Sequence, residues 1–288
     1  MSSSRAGARR PTDATVAHAL DNATEQLSNA GCPDPRVDSE LLLAQVLQTT
    51  RAGLYAESRR ELTEDEEREL RSRLHRRARR EPLAYVLGEW GFRRLTLRVD
   101  ARVLVPRPET EVVVERCLVL LAGAEEPRVL DVGTGSGAIA LSIADEHPGA
   151  RVTGIDSSPG ALDVARENAL LTGLEVELTA GDLFRGLPGT SWDLVVSNPP
   201  YVSHAEIELL EPEVRDWEPR AALVADGATE AVARSALAVL RSGGALVLEV
   251  SAAAAGNVVD LLGGLGFGEV RVTRDLAGRE RVVEGLRP

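Results

Sequence analysis

Val129-Leu130-Asp131-Val132-Gly133-Thr134-Gly135-Ser136-Gly137-Ala138-Ile139-Ala140-Leu141 joins an apolar run to a glycine-rich turn and then to residues of helical periodicity. Such a segment reads as a buried strand, a tight turn and the opening of an amphipathic helix, the start of a nucleotide-binding α/β unit. Gly133, Gly135 and Gly137 let the backbone pass close to a ligand and begin the helix with no Cβ in the way. A glycine-rich turn alone is weak evidence, because dinucleotide-binding folds carry a related one. Here the spacing is G-x-G-x-G rather than G-x-G-x-x-G and no G-K-[ST] follows, which argues against a pyrophosphate cradle.

Two acids extend the pattern downstream. Asp156 ends a second short strand, Arg151-Val152-Thr153-Gly154-Ile155, where a carboxylate can accept from both hydroxyls of a ribose. Asp182 follows a third strand around Val176-Glu177-Leu178, where an adenine amino group needs an acceptor. Either acid alone also suits a surface or capping position, and it is their register at successive strand ends that makes them a site. A fourth apolar run, Leu194-Val195-Val196, leads into Asn198-Pro199-Pro200-Tyr201. A planar NH2 group has its lone pair tied up in conjugation, so it must be held by its hydrogens until the nitrogen faces an electrophilic methyl. An Asn side-chain oxygen and a neighbouring backbone carbonyl can hold it, and two prolines leave carbonyls as the only main-chain hydrogen-bonding groups there. Tyr201 offers a flat face to stack on the acceptor. The bland reading of the tetrapeptide is a strand-ending turn.

Composition fits a soluble enzyme. The 288 residues leave room for one domain of roughly 200 residues and a smaller companion. All 33 basic residues are Arg, so Schiff-base and P-loop lysine chemistry are excluded. A net charge of -12 argues against broad nucleic-acid affinity. Cys32 and Cys117 make neither a disulfide framework nor a metal spacing, and no metal is expected. No apolar run approaches about 18 residues and residues 1–10 lack a signal core, so a cytoplasmic protein without membrane contact is expected.

The periodicities divide the chain. Residues 1–12, rich in Ser, Arg and Ala, are expected to be disordered. Residues 13–80 carry apolar positions at helical spacing and form a helical domain, with Thr63 and Glu66 as a capping box for its last helix. Nine arginines between Arg59 and Arg80 could face RNA, but Glu64 with Arg68, Glu67 with Arg71 and Glu69 with Arg73 favour a self-paired, solvated face, leaving Arg76 to Arg80 as the less balanced end. Residues 81–105 are read as a β-hairpin linker built from residues 94–99 and 102–105. Residues 106–288 form the catalytic domain, whose last strands, residues 269–273 and 281–284, give the parallel sheet an antiparallel finish.

With these motifs placed, the chain resembles the release factor glutamine N5-methyltransferase family, of PrmC or HemK type, over nearly its whole length. Glu81-Pro82-Leu83-Ala84-Tyr85 with Gly88, Val105-Pro106-Arg107-Pro108-Glu109-Thr110-Glu111, Glu218-Pro219-Arg220-Ala221-Ala222-Leu223 and Asp275-Leu276-Ala277-Gly278-Arg279 also resemble family blocks. The resemblance implies an α/β class I S-adenosylmethionine-dependent methyltransferase with a Rossmann-like, seven-stranded mixed sheet and an N-terminal helical bundle. It implies methylation of the Gln amide in the Gly-Gly-Gln loop of peptide chain release factors, with S-adenosylmethionine as cofactor. Residue by residue, it gives Gly133, Thr134, Gly135, Ser136 and Gly137 to the methionine part, Asp156 to the ribose, and Asp182 and Leu183 to the adenine. Asn198 serves both ligands, and Asn198, Pro199, Pro200 and Tyr201 bind the substrate, with Asn198, Pro199 and Tyr201 catalytic. A monomer is expected.

Departures from the family pattern are Val250-Ser251-Ala252-Ala253-Ala254-Ala255, where relatives place a Gly soon after the acid, and Leu183 in place of an aromatic. Methyltransferases acting on N6 of adenine or N4 of cytosine share the Asn-Pro-Pro-Tyr clamp and remain an alternative. The acidic segment after the clamp, with Glu206, Glu208, Glu211, Glu213, Asp216 and Glu218 against Arg215, would repel phosphate. A third alternative is a non-catalytic cofactor-binding partner of translation factors.

Overall fold

The computed structural model describes residues 15–288, and the expected disordered segment 1–12 lies outside them. The chain falls into two compact units that divide between Leu87 and Gly88. The first contains helices α1 (Val16–Asn29), α2 (Pro35–Val46), α3 (Arg51–Ala56), α4 (Glu64–Ala78) and α5 (Leu83–Leu87). Val16, Leu20, Leu27, Leu42, Leu43, Leu70 and Leu74 face one another in its core. The capping box forms: Glu66 N donates to Thr63 Oγ1 at 3.3 Å and Thr63 N to Glu66 Oε2 at 2.8 Å. On α4, Arg71 pairs with Glu67 and Arg73 with Glu69, whereas Arg68 turns to Asp65 rather than to Glu64. Arg76, still partly exposed, pairs with Glu81, and Arg77 is buried against Asp38.

The boundary differs from the expected one. Residues 83–87 are helical, and Val86 is buried in the helical core while Leu87 accepts a 3.1 Å hydrogen bond from Gln45 Nε2, so the first unit runs past residue 80. The hairpin belongs to the second unit, because its Phe92 and Leu97 are buried there. Its strands are β1 (Glu89–Phe92) and β2 (Leu95–Arg98), paired Glu89↔Arg98 to Phe92↔Leu95 across a turn in which Arg93 has φ 50. Residues 102–105, expected to be extended, are loop: the Asp100 carboxylate accepts from Arg102 N at 3.0 Å and Asp100 O from Val103 N at 3.0 Å, and these bonds turn the chain out of strand geometry.

The second unit continues α6 (Pro108–Leu121), β3 (Arg128–Val132), α7 (Ala138–Glu146), β4 (Arg151–Asp156), α8 (Pro159–Thr172), β5 (Glu177–Ala180), β6 (Trp192–Ser197), α9 (Pro212–Arg215), α10 (Arg220–Leu223), α11 (Ala228–Val239), β7 (Leu240–Glu249), α12 (Ala255–Leu265), β8 (Gly268–Arg274) and β9 (Glu280–Leu286). Seven strands lie in the order β5-β4-β3-β6-β7-β9-β8. The pairs from β5 to β7 are parallel and the last two, with β9, antiparallel. Successive residues point to opposite faces of a strand, and here both faces are covered. Val129, Leu194, Val196, Val247 and Val282 pack with α6 and α7, while Leu130, Val132, Val195, Leu246, Leu248 and Val283 pack with α11 and α12. Ligand sites in such open sheets gather outside the carboxyl ends of the strands where the winding reverses. That point is between β3 and β6. Among the described residues no helix is long and apolar enough to cross a membrane.

Candidate active site

β3 and β6 are neighbours with Val132 opposite Ser197, so the glycine turn and the Asn-Pro-Pro-Tyr segment leave the sheet side by side, one residue beyond a shared register. Ser197 Oγ donates to Val132 O at 2.7 Å and ties the two ends. In the turn, Gly133 N and Thr134 N both reach Ile155 O at 2.9 Å, and Gly137 N closes on Thr134 O at 2.8 Å. Gly133 and Gly135 have φ of 75 and 56, and a Cβ at either would meet nothing within 4 Å, so the turn presents bare backbone to open space. Thr134 Oγ1 donates to Asp131 Oδ2 at 2.7 Å, and Asn168 Nδ2 of α8 donates to Ser136 O at 2.9 Å.

The open space is a cleft lined by Gly133, Thr134, Gly135, Ser136, Asp156, Leu183, Asn198 and Pro200, together with Arg102, Val103, Leu104, Pro106, Arg107 and Thr110, which precede and open α6. Asp156 accepts from Gly135 N through Oδ2 and from Ser158 N through Oδ1, both at 2.9 Å. Each oxygen keeps a second lone pair for an outside donor. Leu183 is the apolar side chain at that part of the lining. Asp182 stands beside the cleft and not in its lining; its Oδ1 accepts from Phe184 N at 2.9 Å and caps a short 3-10 helix, Leu183–Arg185. Gly137, Pro199 and Tyr201 likewise stand outside the lining, Gly137 as the N-cap of α7.

At the clamp, Asn198 Nδ2 approaches Thr110 Oγ1 at 3.4 Å. Thr110 Oγ1 donates to Glu249 Oε2 at 2.6 Å, and the Tyr201 hydroxyl donates to Glu249 Oε1 at 3.2 Å. Burial pushes the Glu249 carboxyl up, against the two hydroxyl donors that hold it down. Burial and then the Glu249 charge push the Tyr201 phenol up to about 12, so it stays a donor. The chain beyond the clamp is pinned by Val202 N to Leu223 O at 3.0 Å. Arg107, on the cleft wall, lies 2.7 Å from both oxygens of buried Glu218 and fixes that strap. The departure at residues 250–255 closes normally: Val250 N reaches Arg281 O at 2.9 Å and Ala254 N reaches Ser251 O at 3.0 Å before α12 begins.

Two family models match the chain, the PrmC N-terminal domain over residues 18–88 and the methyltransferase small domain over residues 116–253. The release factor glutamine methyltransferase of Deinococcus radiodurans is 44% identical over 275 residues, 93% of this chain and 97% of that protein. That of Caulobacter vibrioides is 40% identical over 281 residues, 95% and 96% of the two chains. The chain belongs to the release factor glutamine methyltransferase family. Its fold is also similar to the 16S rRNA N2 G1207 methyltransferase of T. thermophilus, solved in complex with AdoMet and guanosine. That likeness has a TM-score of 0.51 at 18% identity and covers 69% of this chain and 50% of that one.

Four further polar positions around the cleft were not singled out as site residues from the sequence. Asp131 is fully buried in β3 with Oδ1 unbonded among the described residues, and burial pushes its carboxyl up to about 7. An acid inside an apolar strand was the available signal. Thr110, Glu249 and Asn168 bond to partners far away in sequence, and periodicity does not reveal such pairings.

Proposed function

We propose that the chain transfers a methyl group from S-adenosylmethionine to the side-chain amide nitrogen of the Gln in the Gly-Gly-Gln loop of peptide chain release factors. The observation that carries this is the adjacency of a bare-backbone glycine turn and Asn198 at the ends of neighbouring strands over one cleft. The residues fit the cofactor: the backbone of residues 133–136 can approach its methionine part, the Asp156 oxygens can accept from ribose hydroxyls, and Leu183 can cover adenine. When bound, S-adenosylmethionine supplies an electrophilic methyl on a sulfonium. Asn198 Oδ1 and the Pro199 carbonyl accept the two amide hydrogens of the substrate Gln, and the Tyr201 ring covers its plane. These contacts turn the amide nitrogen toward the methyl and hold it, and such near-attack positioning is worth roughly 7–11 kcal/mol. After transfer the nitrogen sheds a proton to solvent. Glu249 accepts from the Thr110 and Tyr201 hydroxyls and is assigned to supporting the clamp.

One chain carries every residue of this site, which suits a monomer, and its chemistry suits a cytoplasmic translation enzyme. Family membership disfavours a nucleic-acid base as acceptor. Methyl transfer from radiolabelled S-adenosylmethionine to release factor, to its loop Gln→Ala variant and to duplex DNA tests the reading. Label on the intact factor alone is expected, with loss of transfer in Asn198→Ala. Label on DNA, or full activity of Asn198→Ala, overturns it.

A further inference from the structure

The Asn198 carboxamide is useful as a clamp only one way round, since the oxygen accepts a hydrogen from an incoming amide and the NH2 does not. What decides its orientation is the group that its NH2 end meets, Thr110, which stands on the cleft wall. A threonine hydroxyl has one hydrogen to give. Thr110 gives it to Glu249 Oε2 at 2.6 Å, so toward Asn198, 3.4 Å away, Thr110 Oγ1 offers only lone pairs. A flipped carboxamide would put Oδ1 against those lone pairs. Glu249 is 1% exposed and accepts at both oxygens, from Thr110 and from Tyr201. Among the described residues Asn198 Oδ1 has no bond within the protein. The polarity therefore runs one way, from the carboxylate through the hydroxyl to the NH2 end of Asn198.

We propose that Thr110 and Glu249 are positioning residues that set which way round the Asn198 carboxamide stands, presenting its oxygen to the substrate amide; this rests on the reading of Asn198 as the acceptor clamp. Thr110 lies in the first turn of α6, where the helix opens from residues that also line the cleft, and Glu249 ends β7, the strand next to β6. Three separate elements thus converge on one amide.

Full-length wild type, Thr110→Val, Thr110→Ser and Asn198→Ala are compared by steady-state methylation of release factor, with cofactor affinity measured by calorimetry. Thr110→Val keeps the shape and loses the relay; its kcat is expected to fall on the order of 10- to 100-fold while KM and cofactor Kd stay within about twofold. Thr110→Ser keeps the hydroxyl and is expected to restore kcat. A Val variant with wild-type kcat, a Ser variant as impaired as Val, or a kcat loss matched by a loss of cofactor affinity overturns the relay. Where Thr110→Val does not fold, Thr110→Ala decides by the same criteria. Failure of the functional reading looks different: wild type leaves the factor unlabelled, or Asn198→Ala still transfers.

Discussion

Asp131 brings a carboxyl group into the dry interior beneath the glycine turn, and its titration is visible in the stability of the ligand-free protein. Burial comes first among the causes that raise it to about 7 from 3.8, with the charge of Asp156 adding to it and Thr134 opposing. A carboxyl whose folded value exceeds its unfolded value binds its proton more tightly when folded. Its contribution to stability is therefore fully present below about pH 4 and is lost as pH rises toward and through 7. Asp131→Asn removes the titration, so the melting temperature of wild type relative to the variant is expected to fall between about pH 5 and pH 8. Parallel melting curves across that range would show that Asp131 does not titrate there. At this scale the sequence was readable where chemistry is local: residues 133–136 of the glycine turn, Asp156, Leu183 and Asn198 all line the cleft. Asp182 did not, because the first turn of a short helix claimed its side chain as a cap.

Among elements, α8 does more than cover the sheet. Its fully buried Asn168 donates from Nδ2 to Arg98 O at 3.0 Å and to Ser136 O at 2.9 Å, and accepts from Arg98 N at 2.7 Å. One side chain thus clips the hairpin strand β2 to the glycine turn. Asn168→Ala leaves these backbone groups bare, at about 1–3 kcal/mol for each that stays buried and unsatisfied. Thermal and urea unfolding should show a loss of at least about 1 kcal/mol together with weaker cofactor binding; unchanged stability would mean that water replaces the clip. The hairpin illustrates why elements were only partly legible. Residues 94–99 alternate and were readable as a strand, but their partner is residues 89–92, where Gly91 interrupts the pattern, and not the more apolar residues 102–105. Those apolar residues serve the cleft instead, since Val103 and Leu104 line it. On α2, the buried Asp38 and Glu40 break the apolar stripe expected of a core-facing helix, and they are tolerated because Arg77, Arg36, Arg51 and Tyr55 meet them.

The whole molecule divides its labour between a helical unit with its own core and a unit that holds every residue of the cleft. We propose that the helical unit docks the protein substrate. Removal of the chain before Gly88 is then expected to raise KM for whole release factor by about 10-fold or more, roughly 1.4 kcal/mol, with little effect on a short Gly-Gly-Gln peptide. Equal changes for both substrates would make that unit a purely structural appendage. The antiparallel finish of the sheet could be read from the short connection between its last two strands, whereas the strand order could not, because crossovers depend on which faces the helices cover. Of the features described, the pairing of Val132 with Ser197 has the widest reach. Neighbouring strands are held about 4.8 Å apart by backbone hydrogen bonds alone. The distance between the backbone of the glycine turn and that of the clamp is thus ruled by the ladder between β3 and β6, and side chains are left only the final aiming of the two groups across it.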